Sequence, residues 1–209
     1  MIGNLPVVDF SGFRPQTRPS DDVTFTCLLS EWDAELRRVG FPVDIATSPG
    51  ISAAQVRSRL ALDDLKPNGE LEAWFGWQNG QPTRTGVPSL TPTFFMMDLD
   101  WAIARRNYGL PIGLEPGSWH PSWIRLSSDR VCLAARAMPE SPIPIRVVDD
   151  QGWNTWDAAG PTEVWSLCTA VVWFIEALRN GSHVWNVAES HWERHDELVD
   201  PLAALHGYV

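Results

Sequence analysis

Apolar residues recur at three- and four-residue steps in the first half of the chain, which is the period of an amphipathic helix. The clearest case begins near Asp22 and stops at Gly40, a residue type that commonly ends helices. Its apolar positions are Phe25, Leu28, Leu29, Trp32, Leu36 and Val39. The pattern predicts one long helix, preceded by an irregular lead-in at residues 1–22 that is rich in proline and glycine.

Shorter helices are predicted after it, over residues 52–65, 71–78 and 98–103. The first begins with Ser52 and Gln55, which form a capping-box pattern. The second ends at an Asn-Gly dipeptide, a common helix stop. Either Asp98 or Asp100 caps the third, because a carboxylate accepts from free N–H groups at a helix start. The first half of the chain is therefore predicted to be mainly helical.

The period changes to two after Gly117, which is typical of strands with one buried face. The alternating segments are 123–126, 131–134 and 143–148, separated by Ser/Asp and Pro turns. They predict an antiparallel meander, with Pro144 at an edge or facing outward because proline has no N–H to donate. A long apolar helix, capped by Thr162 and ended by Asn180-Gly181, is expected to lie across the sheet. Segregated helices and strands predict an α+β fold with a single domain over 23–209.

Several segments in order carry a family likeness. Residues 71–80 read Leu-Glu-Ala-Trp-Phe-Gly-Trp-Gln-Asn-Gly, and a short helix follows 97–99. The strand and turn at 123–129 come next, and then a late helix that leads through Arg179-Asn180-Gly181 to Trp185. This arrangement, over 51–195, resembles the SUKH superfamily, which includes bacterial immunity proteins and a yeast cell-wall regulator. The resemblance implies a non-enzymatic binding scaffold without a cofactor, often encoded beside the toxin that it neutralises.

The charge balance narrows the class of partner. The chain has 16 basic and 26 acidic residues, a formal net charge of −10. Nucleic acids and anionic lipids bind clustered Lys and Arg, so neither is an expected partner. We expect a protein partner with a basic surface, in the immunity case a basic toxin, although acidic charge also serves solubility alone. A regulatory interaction scaffold is a further alternative that the yeast relative suggests.

Localisation is predicted from two absences in the sequence. Residues 1–14 contain no basic segment leading into an apolar one, so no secretory signal is predicted and the expected location is the cytoplasm. The most apolar stretch, 164–178, is shorter than the ~20 residues of a membrane span. Cys27, Cys132 and Cys168 are far apart and are expected to be buried, reduced thiols.

No catalytic pattern is evident. His191 and His195 are four residues apart on a possible helix, but the acid between them is out of place for H-E-x-x-H and no third ligand is near, so no metal site is predicted. Acid pairs at 98/100 and 149/150 suit turns and caps better than glycoside hydrolysis. The serines lack a G-x-S-x-G elbow, and no glycine-rich phosphate loop occurs. We expect a protein that is not an enzyme.

Twelve tryptophans are the unusual feature of the composition. Those on predicted helices, Trp74, Trp101, Trp165 and Trp173, are expected in the core. The predicted partner-binding residues lie in or beside loops and strand ends, and they are Trp77, Asn79, Trp119, Trp123, Trp153 and Trp156. Tryptophan is a preferred anchor at protein interfaces. Loop packing on the core is the plain alternative, and a carbohydrate-binding module or glycosidase with Trp-rich loops is another.

Overall fold

A computed structural model describes residues 22–82, 86–92, 94–106, 122–128, 131–139, 145–149 and 167–195. The helices in these ranges are α1 (Asp22–Arg38), α2 (Val43–Ala46), α3 (Ala53–Ala61), α4 (Gly69–Trp77), α5 (Leu99–Ala104) and α6 (Leu167–Arg179). The strands are β1 (Phe95–Met96), β2 (Trp123–Arg125), β3 (Ser127–Ser128), β4 (Val131–Arg136), β5 (Ile145–Asp149), β6 (His183–Asn186) and β7 (His191–Arg194). The predicted α+β class is confirmed. The predicted lead-in lies outside the described residues except for its last residue.

The end of α1 is set by glycine, as the sequence predicts. Gly40 has a φ of +80°, in the left-handed region that glycine enters without steric cost. Its N–H donates to the Arg37 carbonyl at 3.0 Å, and the Phe41 N–H donates to the Leu36 carbonyl at 3.0 Å. This pair of bonds is the Schellman motif, which satisfies carbonyls that the helix end leaves open.

The start of α3 is confirmed, and its end comes earlier than predicted. The Ser52 hydroxyl accepts from the Gln55 N–H at 3.3 Å, and the Gln55 side chain accepts from the Ser52 N–H at 2.9 Å. The helix ends at Ala61 rather than near Leu65. Asp64 has a φ of +56°, which is outside the helical region, so the chain has already turned before the predicted breaker residues.

Side-chain caps also begin α4 and α5. The Asn68 carboxamide oxygen accepts from the Glu70 N–H at 2.9 Å. Of the two aspartates proposed for α5, Asp98 is the cap, and its carboxylate accepts from the Trp101 N–H at 2.8 Å. Asp100 lies in the first turn of the helix, where a negative charge complements the helix dipole.

The predicted meander is present as a three-stranded antiparallel sheet in the order β2-β4-β5. Ile124 pairs with Ala135, and Leu133 pairs with Val147. Pro144 lies outside the described residues. The meander prediction is confirmed by these antiparallel pairings, although all three residues of β2 are buried and do not alternate.

The predicted turn after β2 is wrong at its first two residues. Ser127 and Ser128 form β3, which pairs antiparallel with β1, and Met96 is the partner of Ser127. The Ser127 hydroxyl accepts from the Leu133 N–H at 2.7 Å and so ties β3 to β4. The two serines therefore form a separate two-stranded sheet with β1, which lies between α4 and α5 in the chain.

A hairpin of β6 and β7 replaces the predicted helix at 191–195, and that helix hypothesis is wrong. Trp185 and Trp192 are cross-strand partners with ring centroids 5.3 Å apart. Phe41 stacks on Trp192 at 5.3 Å, so aromatic contacts hold the hairpin against the end of α1. In a strand, residues four apart lie about 13 Å apart, so His191 and His195 do not share the spacing of a helical metal site.

The core is built around aromatic residues of α1, α4 and α6. Trp32 on α1 is 1% exposed, and its ring lies 4.8 Å from Phe174 on α6 and 6.1 Å from Trp74 on α4. The apolar face of α6 belongs to the same core as Ile124 of the meander, and its closest helical neighbour is α1. The predicted cap at Thr162 lies outside the described residues.

An ion-pair cluster joins α6 to α1. Arg179 contacts Glu31, lies 3.0 Å from the Glu35 carboxylate and lies 3.6 Å from Glu176. Arg38 contacts the other oxygen of Glu35 at 2.5 Å. Burial acts to raise the pKa of Glu35, but hydrogen bonds from Arg38 and Arg179 outweigh it and leave the pKa below its ordinary 4.5.

We expect Arg179→Gln to lower the free energy of unfolding by about 1 kcal/mol, discounted for solvent screening because Arg179 is 35% exposed. A depressed carboxylate pKa contributes stability above the unfolded-state value, and that contribution is lost as the pH falls through the folded-state value. The difference between wild type and variant should therefore shrink below pH 4.5. Urea unfolding across this range tests it, with Arg57→Gln as a control for a single surface pair with Glu72.

Candidate functional site

An open cleft of about 370 Å³ lies between α1, α2 and the end of α4, and we call it the α2 cleft. Its lining includes Ser30, Asp33, Arg37, Val43, Asp44, Thr47, Ser48, Pro49, Trp77 and Gln78. Clefts of roughly 300–1,000 Å³ with a few fixed polar groups are the usual form of small-ligand sites. The α2 cleft is thus large enough for a side chain or a short peptide segment.

Backbone hydrogen bonds fix the segment that follows α4 beside the cleft. Gln78 is the C-terminal cap of α4, with an extended backbone, and pairs with Pro49 in an isolated antiparallel bridge. The Asn79 N–H donates to the Ser48 carbonyl at 3.2 Å, and the Ser48 N–H donates to the Gly80 carbonyl at 2.8 Å. These bonds hold two loop segments together, so the cleft is preformed.

Trp77 is partly buried and packs on the edge of the core. Its ring centroid lies 4.8 Å from that of Trp32 and 6.2 Å from that of Trp74. Contact with two buried indoles restricts the rotamer of Trp77. The side chain therefore gives the α2 cleft an aromatic wall of fixed orientation.

Two buried glutamines near the cleft differ in their hydrogen bonding. Gln81 donates to the Ala46 and Pro88 carbonyls at 3.1 and 2.7 Å. Its oxygen accepts from the Leu90 and Met96 N–H groups at 2.9 and 3.0 Å.

Gln78 and Gln81 are each 3% exposed, but within the described part of the chain neither the Nε2 nor the Oε1 of Gln78 has a hydrogen-bond partner. Buried polar side-chain atoms usually have at least one partner. Gln78 is therefore the most unusual polar residue of the cleft lining, and its unpaired carboxamide is itself buried.

The charges of the cleft are arranged around Arg37. Its Nε lies 2.7 Å from Asp33, and its Nη1 and Nη2 lie 3.0 and 2.7 Å from the two oxygens of Asp44. Hydrogen bonding to Arg37 lowers the pKa of Asp44 below its ordinary 3.8, and Asp44 in turn raises the pKa of Arg37. Asp44 and Arg37 therefore keep their charges across the physiological pH range.

The predicted partner-binding residues take different positions. Trp77 lines the α2 cleft, whereas the Asn79 oxygen accepts from the Leu99 N–H at 3.0 Å and holds the start of α5. Trp123 is 5% exposed and contributes to packing of the meander. The remaining three, Trp119, Trp153 and Trp156, lie outside the described residues.

Sequence reasoning missed most of the polar lining. Gln78 stands between two predicted residues, but only its burial and missing partners mark it as unusual. Asp33 and Arg37 are four residues apart on α1, a spacing that predicts an ion pair on a helix. Asp44 completes this ion pair from α2, a helix of four residues that is too short to show a period in the sequence.

The tryptophans predicted for the core do not all lie there. Trp74 and Trp173 are buried as expected, and Trp165 lies outside the described residues. Trp101 is 36% exposed with Arg105 5.5 Å over its ring, so its core prediction is wrong. Cys27 is exposed, contrary to the prediction of a buried thiol.

Local contacts account for the acids at 98 and 100, whereas the side chains of the acid pair at 149/150 lie outside the described part of the structure. Asp98 is the helix cap, and Asp100 forms an ion pair with Arg59. His191 lies 3.4 Å from Glu189 and 3.8 Å from Glu193. Within the described ranges, no group of three or more His, Cys, Asp or Glu side chains is arranged to hold a metal ion.

No protein-family model matches the chain, and no curated protein matches its sequence. The resemblance to the SUKH superfamily therefore stays a prediction. Among the described residues, no helix has the length and apolar character needed to cross a membrane.

Proposed function

We propose that this chain is a non-enzymatic protein-binding domain of the immunity type, which neutralises a basic toxin by occluding its active site. The observation that carries the proposal is the make-up of the α2 cleft. It combines the partly buried Trp77, an ion pair centred on Arg37 and the exposed carboxylate of Asp44. These groups recognise a partner by shape, hydrogen bonding and charge.

The electrostatics of the cleft support binding over acid–base catalysis. A catalytic general acid at neutral pH needs a carboxyl group with a raised pKa. Asp44 has a lowered pKa because Arg37 stabilises its charged form. Its oxygens are held by the guanidinium, so they are also poorly placed to exchange a proton with a substrate.

The surface beside the cleft supports a protein as the partner. Ile45 on α2 is 67% exposed, next to Asp44, whose side chain is 79% exposed. Ile45 is on the same helix as Val43 and Asp44, which line the cleft, so this exposed aliphatic side chain is available for contact with a partner. The net charge of −10 favours a basic surface on the partner.

The immunity role rests on the family resemblance and on this charge. Toxins that act on nucleic acids carry basic surfaces, and an acidic protein covers such a surface without supplying any chemistry. The direct test is co-expression with the toxin-like product of the neighbouring gene, scored by growth and by purification of a complex. Failure of both rescue and complex formation contradicts the proposal.

A pair of matched variants tests the binding face. Ile45→Asp places a charge on the α2 face, and we expect it to weaken the complex by about 2 kcal/mol or more. Leu62→Asp is the control, because Leu62 is 81% exposed at the end of α3, whereas Ile45 is on α2, the helix that supplies Val43 and Asp44 to the cleft lining. Equal effects of the two changes would show that the partner binds elsewhere.

A carbohydrate-binding module is the second candidate, favoured by the exposed part of Trp77 and the carboxylates of Asp33 and Asp44 in one cleft. Aromatic rings and carboxylates also bind sugars, so the lining alone suits both ligands. A glycan array without hits would dispose of this candidate. The regulatory scaffold that the yeast relative suggests is distinguished from immunity by the neighbouring genes.

The negative charge predicts how association with the partner depends on salt. Electrostatic steering speeds the encounter of oppositely charged proteins and is screened by ions. We expect the association rate constant to fall severalfold between low and physiological salt, as the Debye length falls from about 30 Å to about 8 Å. Stopped-flow or surface-binding kinetics measures it, and a salt-independent rate constant would show that the charge serves solubility alone.

A further inference from the structure

Two acidic side chains of the α2 cleft share a single basic one. Asp33, Arg37 and Asp44 are the charged residues of the cleft lining, which therefore carries one net negative charge. Arg37 donates one hydrogen bond to Asp33, at Oδ2, and two hydrogen bonds to the carboxylate of Asp44. One cation thus serves two carboxylates, and the lining has room in its charge balance for a second cation.

Both carboxylates are accessible to a group that enters the cleft. The side chain of Asp44 is 79% exposed and that of Asp33 is 26% exposed. Hydrogen bonding to Arg37 lowers the pKa of Asp44 below its ordinary 3.8, so the carboxylate is charged at neutral pH. A carboxylate has about four acceptor positions on its two oxygens, and the bonds from Arg37 occupy only part of them.

We propose that the α2 cleft receives a cationic side chain of the partner, a lysine or an arginine, whose charged end lies beside the carboxylates of Asp33 and Asp44. This inference rests on the proposed protein-binding function and specifies which group of a basic partner enters the cleft. Both side chains carry a positive charge and N–H donors without an acceptor, so both match a carboxylate.

The apolar part of the lining suits the stem of such a side chain. Val43, Pro49 and Trp77 supply apolar surface to the cleft. The ring of Trp77 is fixed by its contact with Trp32, at 4.8 Å between centroids. Lysine and arginine side chains lie with their methylene groups along apolar surface while the charged end keeps polar contacts. An open cleft of about 370 Å³ offers both kinds of surface to one side chain.

The charge balance disfavours other ligands. An anion would face two carboxylates, and Arg37, the basic residue of the lining, already binds both of them. A neutral group would leave the negative charge of the lining uncompensated. A hydrogen bond between a cation and a carboxylate is stronger than one from a neutral donor. The net charge of −10 also attracts cationic groups to the chain as a whole.

Small capped amino acids test the charge without knowledge of the partner. The cationic compounds are the N-acetyl N-methylamides of arginine and lysine. Citrulline and norleucine derivatives are their neutral counterparts, and the glutamate derivative reverses the charge. Fragments of this size bind with dissociation constants of about 1 mM. NMR titration of the isotope-labelled full chain at low salt, where charges are screened least, reports on the backbone N–H of Asp44 and the indole N–H of Trp77.

We expect at least one cationic compound to shift both signals, and the one that binds more tightly identifies the side chain. Each neutral compound should bind at least about threefold more weakly than its cationic counterpart, which is the range of an exposed ion pair. Equal binding of a cation and its neutral counterpart would overturn the inference, because the cleft would then recognise shape alone. The inference is also wrong if neither cation shifts the signals, or if the glutamate compound binds most tightly.

The variant Asp44→Asn removes the same charge from the chain. Asparagine keeps the size of the side chain, and this position is largely exposed, so the fold should be unchanged. The affinity for the tighter cationic compound should fall by roughly threefold, and Asp33→Asn on α1 should act in the same direction. Glu189→Gln is the matched control, because Glu189 is 70% exposed and is not part of the cleft lining. Equal affinities of Asp44→Asn and Glu189→Gln would contradict the inference.

The fragment test and the growth test fail independently. A chain that rescues growth but binds no cationic fragment keeps its proposed function and loses this inference. A chain that binds the cationic fragments but neither rescues growth nor forms a complex loses the proposed function.

Discussion

Replacement of Trp32 by alanine is expected to lower the free energy of unfolding by about 3–5 kcal/mol, as for other buried tryptophans. Trp32 is 1% exposed, and its ring lies 4.8 Å from both Phe174 and Trp77. The truncation removes the contact that α1 makes with two other helices at once and leaves a cavity that rigid helices close poorly. Since domains are stable by only about 5–15 kcal/mol, the loss is a large part of the total.

Equilibrium urea unfolding followed by circular dichroism measures this loss. Trp101→Ala is the matched control, because Trp101 is 36% exposed and its ring contact is with Arg105. In the control, the free energy of unfolding should fall by less than about 1 kcal/mol. Similar losses in both variants would contradict the central position of Trp32 in the core.

The prediction of α1 from sequence succeeded because burial and period agree over many residues. The apolar residues that recur at three- and four-residue steps from Phe25 to Leu36 are all buried, and Gly40 ends the helix with a left-handed backbone. Capping patterns added information that needs no tertiary structure, and the Ser52–Gln55 box formed as predicted. Such local signals are reliable because the interacting groups are close in sequence.

The short strands were missed because their signal is not local. β1 and β3 have two residues each, too few to show any period, and they pair across about thirty positions of the chain. The segment 191–194 contains one tryptophan among polar residues, which fits a helix end or a strand equally well. Only its pairing with β6, at Trp185 and Trp192, decides between them.

The candidate site was predictable in part. The high tryptophan content and the position of Trp77 beside a loop predict it as a binding residue, and Trp77 does line the α2 cleft. Composition does not distinguish an exposed indole from a buried one, so Trp123 was placed in the same predicted set although it is 5% exposed. The buried carboxamide of Gln78 has no partner in the described part of the chain, and the sequence carries no signal for a hydrogen bond that is not made.

The turn after α4 connects this cleft to the rest of the fold. Gly80 accepts from the Ser48 N–H at 2.8 Å, and the Asn79 oxygen accepts from the Leu99 N–H at 3.0 Å. The Asn-Gly dipeptide therefore stabilises the cleft wall on one side and the start of α5 on the other. A substitution in this turn should therefore lower the stability of the fold and also shift Gln78.

Gly80→Ala is expected to lower the free energy of unfolding by about 2–5 kcal/mol. Gly80 has a φ of +72°, where a side chain costs about 1–2 kcal/mol. A Cβ at this position would also lie 2.2 Å from the Asp98 N and 2.4 Å from the Met97 carbonyl carbon. These are backbone atoms at the start of α5, so relief of the overlap has to move the helix cap as well as the turn, at a cost of about 1–3 kcal/mol.

Gly86→Ala separates the two contributions, and urea unfolding measures both variants. Gly86 has a φ of +86°, but a Cβ there would meet nothing within 4 Å. In the control, the free energy of unfolding should therefore fall only by the conformational cost of about 1–2 kcal/mol. The larger fall in Gly80→Ala then measures the cost of the overlap. Because the overlap lies beside Asn79, the NMR signals of Trp77 and Gln78 should move in Gly80→Ala and not in Gly86→Ala. Equal losses in the two variants would show that α5 yields freely and that the turn does not hold the cleft in place.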